Sequence, residues 1–135
     1  MGDLKFESNA KKVIENFKNR TEIAQKEGIS FVNDSMNKVV SLAKPLTPVK
    51  SGDLRRGYRV VKARKLSSGR IVGAVINNEH YFKYVEEGRR TKNGGFVKGR
   101  FMLTRATNLA NMTYIPRRFK QMAIKIIKKG KWHER

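Results

Sequence analysis

The stretch "TPVKSGDLRRGYRV", residues 47–60, packs one proline, two glycines and four cations between a helical pattern and a strand pattern. Upstream, from about Asn9 to Leu42, apolar residues recur at helical spacing, with Val13 and Phe17 in one part and Val32, Met36, Val39, Val40 and Ala43 in another. This predicts one long helix or two in line. Gly28 costs about 1 kcal/mol relative to alanine in a helix interior and predicts a kink or break near residues 26–29. Pro45 and Pro48 cannot donate an amide proton and bias the residue before them away from helix, so the helix is expected to end by about Lys44. In the turn itself Pro48 fixes the corner and Gly52 allows the chain to reverse. Leu54 is expected in the core, with Arg55, Arg56 and Arg59 left outward and Ser51 or Asp53 capping a short helical turn.

Downstream, "YRVVKARKL" and "RIVGAVIN" flank "SSG", a hairpin signal of β-branched runs about a glycine-containing turn. In the second run Ile71 and Val75 fall opposite Val72 and Ile76, which predicts a strand covered on both faces. The first run, with Lys62, Arg64 and Lys65, reads as the edge strand. "HYFKYVEEG" reads as one helical turn with Tyr81, Tyr84 and Val85 on one face, in preference to a short strand. "RRTKNGGFVKGR", residues 89–100, reads as a mobile loop or a long projecting hairpin. Helical spacing resumes at Phe101 through Leu103, Ala106, Leu109 and Ala110. Pro116 restarts it, with Phe119, Met122, Ala123, Ile126 and Ile127 as an apolar stripe expected to pack on the domain's own sheet rather than on a membrane. Residues 130–135 are expected to fray. The whole predicts a single α+β domain over residues 1–135, a long N-terminal helix and a C-terminal helix packed on a small antiparallel sheet.

Hydrophobic residues at 39% and charged residues at 31% place the 135-residue chain outside disordered compositions. With no cysteine there is no disulfide, thiolate metal site or cysteine nucleophile. No apolar run approaches the roughly 20 residues of a membrane span, and the first residues lack the apolar core of a signal peptide, so a soluble product of the cytoplasm is expected. The net charge of +20 is unevenly placed: residues 1–43 carry 7 Lys/Arg and 6 Asp/Glu, whereas residues 44–135 carry 24 and 5. A field of that strength implies a polyanionic neighbour, whether nucleic acid, an acidic protein face or anionic lipid.

Catalytic chemistry is poorly represented. His80 and His133 have no partner at metal-ligand spacing. "GGFVKGR" has three residues between Gly95 and Gly99 where a phosphate-binding loop has four, and no Lys-Ser/Thr follows. Adjacent Glu86 and Glu87 point about 100° apart on a helix and would need Asp53 or Glu79 nearby to hold a nuclease metal. No catalytic residue, metal or cofactor is expected. The cations Arg89, Arg90, Lys92, Lys98 and Arg100 can grip phosphates or simply be solvated. Tyr81, Phe82 and Tyr84 can stack bases, but their helical spacing favours core packing.

In order, "TPVKSGDLRRGYRV", a hairpin, "YFKYVEEG", a Gly/Lys loop and "GRFMLTRA" resemble the tail-completion proteins of long-tailed bacteriophages and prophage tails. The matching residues are Thr47, Pro48, Val49, Gly52, Leu54, Arg55, Tyr81, Tyr84, Val85, Glu86, Gly88, Arg100, Phe101, Leu103 and Ala106, within roughly residues 30 to 110. Arg100 runs directly into Phe101 where the family usually has an intervening proline, and Pro116 interrupts an otherwise continuous last helix. The resemblance implies a non-catalytic virion subunit that forms a ring, commonly a hexamer, at the head-proximal end of the tail. There it would end tube growth and meet tail and neck proteins such as the tail tube, connector or stopper. Arg55, Arg56, Arg59, Glu86, Arg89, Arg90, Lys92, Lys98 and Arg100 are then expected at a subunit or DNA-facing interface, with Glu86 pairing one of Arg55, Arg56 and Arg59, within the subunit or across the ring. The other reading of the charge is a nonspecific nucleic-acid-binding protein.

Overall fold

The computed structural model describes the backbone of residues 2–49 and 52–129, and the side chains of 20–49 and 52–129. A 45-residue helix, α1 (Gly2–Leu46), comes first. It is unbroken at Gly28, so of the two forms expected the chain takes one long helix. The Cβ that glycine lacks would lie 2.6 Å from Ile71 Cδ1, so Gly28 makes room for the hairpin strand packed on the helix. Nor does α1 stop at Lys44, since Pro45 lies inside its last turn. A proline there forfeits one amide bond, and Thr47 satisfies the helix end by donating its N–H to Lys44 O (3.1 Å) and its hydroxyl to Ala43 O (2.7 Å).

A short helix α2 (Asp53–Arg56) follows, entered through Gly52 in the left-handed region at φ 78° with no side-chain cap. Asp53 therefore does not cap it, and Ser51 lies outside the described residues; Asp53 instead pairs with Arg56 at 2.6 Å on the exposed surface. Leu54 is buried as expected. Strands β1 (Tyr58–Lys65) and β2 (Ile71–Asn77) form a two-stranded antiparallel sheet with an irregularity between Val61 and Arg64. Within it Ala63 N–H donates to Asn33 Oδ1 of α1 at 2.8 Å, pinning the irregular strand to the helix.

α1 packs on one face of this sheet. The other, carrying Arg59, Val61, Ala74 and Ile76, stays open, and Ile76 is 44% exposed. The expected two-sided cover of β2 is thus not present, because a two-stranded sheet backed by one helix buries only one side. The inner face contributes Tyr58 and Val75 to a core with Val39, Ala43, Ala106 and Ala110, where Phe82 meets Tyr58 edge to face at 5.7 Å.

Next come α3 (Phe82–Glu87), the expected helical turn, and a small antiparallel pair, β3 (Gly88–Arg90) with β4 (Phe96–Lys98). Of the two forms expected for residues 89–100, the segment takes the hairpin. Helices α4 (Met102–Thr113) and α5 (Ile115–Lys129) complete the fold, with Pro116 in the first turn of α5 as expected. α5 packs along α1 rather than on the sheet. Arg118, almost fully buried, donates from Nε to Asp34 Oδ2 (3.1 Å) and from Nη2 to Ser30 Oγ (3.2 Å). Phe119 meets Phe31 edge to face, and Lys129 donates to Glu27 Oε1 at 3.0 Å. These polar ties set the orientation of α5 and leave Phe119 and Ile127, two members of its apolar stripe, exposed. The α+β class is as expected.

Candidate interface groove

The 47–60 turn is built around Thr47 and Tyr58. Thr47 is 2% exposed and its Oγ1 lies 3.0 Å from the Tyr58 hydroxyl. The single threonine proton goes to Ala43 O, so the tyrosine is the donor of this second bond. Burial pushes the Tyr58 hydroxyl above its usual pKa of 10.0. Arg55 Nε donates to Thr47 O at 3.1 Å, and Arg59 Nη1 donates to the carbonyls of Arg56 and Tyr58. Each of the three arginines thus bonds within the turn it occupies; Arg55 is half-buried, while Arg56 and Arg59 stand outward as expected.

Among the described residues Glu86 has no arginine partner within the subunit. Its carboxylate sits on the first turn of α4, where Oε1 accepts Leu103 N–H (2.9 Å) and Oε2 accepts both Thr104 N–H (3.0 Å) and Thr104 Oγ1–H (2.8 Å). The residue at the N-cap position, Phe101, offers no side-chain acceptor and stands at φ 50°. A helix start leaves amide protons unpaired and carries partial positive charge, so it satisfies a buried carboxylate better than a solvated guanidinium would.

Gly88 makes the next step possible. It stands at φ 92° and ψ 173°, a region essentially closed to other residues, and an added Cβ would lie 2.6 Å from Val97 O. Arg100 and Phe101 donate their N–H groups to Val85 O (2.9 Å) and Glu86 O (3.0 Å), folding the β3–β4 hairpin back on α3.

The result is a hollow of about 410 Å³ lined by Pro48, Tyr81, Tyr84, Val85 and Val97 together with Arg89, Lys98 and Arg100. A second hollow of about 370 Å³ shares Tyr84 and Arg89 with it and adds Lys83, Gly88 and Arg90. Of the expected interface residues, Arg89, Arg90, Lys98 and Arg100 are thus brought to one groove, whereas Arg55, Arg56, Arg59, Glu86 and Lys92, the last in the exposed hairpin turn, are not among its lining residues. Tyr84 is 54% exposed, so of the three aromatics expected in the core only Phe82 packs against it. Reading the sequence by helical spacing missed this because α3 is a single turn with one face committed to the core.

Among the described residues no group of three or more His, Cys, Asp or Glu could hold a metal ion, and no helix is long and apolar enough to cross a membrane. A long helix backing a β-hairpin, with short helices and a second hairpin enclosing a basic groove, defines a small helix-on-sheet protein. Residues 11–88 match the model of the HK97-gp10-like family, described as "Bacteriophage HK97-gp10, putative tail-component", and the chain belongs to that family. Neither the curated proteins nor the solved structures yield a match.

Proposed function

We propose that the protein is a tail-completion or tail-terminator subunit, acting by assembly and without catalysis. In this reading copies form a ring, a hexamer in the virion, at the head-proximal end of the tail, made in the host cytoplasm and built into the tail–neck junction. The observation that carries it is the match of residues 11–88 to a bacteriophage tail-component family, joined to the ordered motifs from Thr47 to Ala106. The structure of those motifs supports it. Thr47, Gly52, Leu54, Glu86 and Gly88 are each spent on holding the turn, α3 and α4 in place, which leaves an exposed apolar and basic groove for neighbours.

Electron microscopy of tail particles with and without a disruption of the gene tests this. Overlong tails, or tails that fail to join filled heads, are the expected result; normal particles overturn the reading. The charge of residues 44–135 favours a second reading, a nonspecific nucleic-acid-binding protein. That protein would bind duplex DNA as a monomer with an affinity falling steeply as salt rises.

A further inference from the structure

The groove between α3 and the β3–β4 hairpin combines two features that polyanion binding alone does not require together. The first is uncompensated charge. Lys83, Arg89, Arg90, Lys98 and Arg100 line the two hollows, and among the described residues none of them lies in an ion pair. Of the two neighbouring acids, Glu86 is buried and taken up by the amides and hydroxyl at the start of α4, and exposed Glu87 forms no ion pair with these cations among the described residues. The second feature is an open apolar surface at the same place. Tyr84 is 54% and Val97 47% exposed, with Phe96 (65%) on the same hairpin.

A DNA backbone is gripped by cations and amide groups and has no use for a concave apolar wall. Protein recognition sites do use one, because an aromatic or aliphatic anchor buried in a hollow supplies most of the binding energy while charges at its edge set orientation and partner choice. A second copy of this chain, itself strongly basic, is a poor electrostatic match for five unpaired cations.

We infer that the groove receives an acidic peptide segment of a neighbouring virion protein, its apolar side chain seated against Tyr84 and Val97 and its flanking carboxylates on Arg89, Lys98 and Arg100. This deepens, and rests on, the tail-component reading. It assigns the basic charge of this region to an acidic protein partner instead of to DNA.

The test is fluorescence anisotropy on the full chain at near-physiological salt with three labelled probes: the peptide Asp-Asp-Glu-Phe-Glu-Asp-Asp, the same peptide with serine for phenylalanine, and an oligothymidylate of equal charge. The phenylalanine peptide is expected to bind roughly ten-fold tighter than the serine peptide. Tyr84→Ala should erase that preference, and Val97→Ser, on a different element, should reduce it, with thermal melts of both variants confirming intact folding. The paired substitution Arg89→Gln and Lys98→Gln should weaken both peptides by a similar factor. Equal binding of the two peptides, or none, overturns the proposal, and oligothymidylate binding with the same Tyr84 dependence hands the groove to single-stranded nucleic acid. Should the peptide preference fail while gene-disrupted tails remain overlong or unjoined, the groove assignment falls alone. Normal particles would remove the tail-completion reading whatever the peptides do.

Discussion

Glu86 and Thr104, 18 residues apart in sequence, share one carboxylate oxygen: Oε2 of the glutamate takes both the amide proton (3.0 Å) and the hydroxyl proton (2.8 Å) of the threonine. This contact joins α3 to α4 and replaces the local cap that Phe101 cannot provide. It also explains why a carboxylate in so basic a chain ignores the surrounding arginines.

Replacing Glu86 therefore should act on folding before it acts on any partner. Glu86→Ala strands the amides of Leu103 and Thr104 and is expected to cost about 2–4 kcal/mol in denaturant unfolding. Glu86→Gln keeps the acceptor oxygen and loses the charge interaction with the helix start, so about half that cost is expected. Equal stability of Glu86→Ala and the parent would show that α4 is capped in another way.

Gly88→Ala is expected to be among the most damaging single-methyl changes in the chain. The backbone at φ 92° and ψ 173° admits only glycine at low cost, and the new Cβ would meet Val97 O and the amide nitrogen of Gly99. A loss of about 2–4 kcal/mol is expected, with amide exchange in β3 and β4 accelerating more than in α1. Uniform protection across the two regions would contradict the picture of a hairpin hinged at this residue.

The Thr47–Tyr58 pair can be dissected by a double-mutant cycle. Thr47→Val is expected to cost about 1–3 kcal/mol, because it leaves the Tyr58 hydroxyl buried without its acceptor. In the Tyr58→Phe background the same change should cost less, a coupling of about 1 kcal/mol. Strict additivity would mean that the 3.0 Å contact contributes nothing. Since the folded-state pKa of Tyr58 is raised by burial, its contribution is fully present below pH 10.0 and declines as alkali ionises the unfolded chain first.

Lys129 is the chief cause of a lowered Glu27 pKa, through a 3.0 Å hydrogen bond between the last turn of α5 and the middle of α1. A depressed carboxylate pKa stabilises the fold above the usual value of 4.5 and loses that contribution as pH falls through the lower folded value. Lys129→Met should accordingly lower the melting temperature at pH 7, by an amount that shrinks as acid protonates Glu27. A deficit that stays the same size throughout the acid titration would show that Lys129 acts by packing alone.

How much of this was legible beforehand follows from the range over which each force acts. Proline and glycine speak locally: Pro45 and Pro48 marked the end of α1 to within two residues, Gly52 the reversal, Pro116 the start of α5, and the β-branched runs the 58–77 hairpin. Charge placement showed where a polyanion would be drawn, since net charge does not depend on folding. The continuity of α1 through Gly28 was not legible, because the packing of Ile71 comes from a strand 43 residues on and outweighs a propensity cost near 1 kcal/mol. Glu86 had one indirect signal, a helix beginning "RFML" with no Ser, Thr, Asp or Asn where a cap belongs; only the approach of α3 to α4 says which residue fills that place. The sequence by itself determined the elements, their order and the basic character of the last two-thirds. Tertiary structure alone decided which charges are consumed internally and which are left lining the groove, because that depends on contacts between segments far apart in the chain.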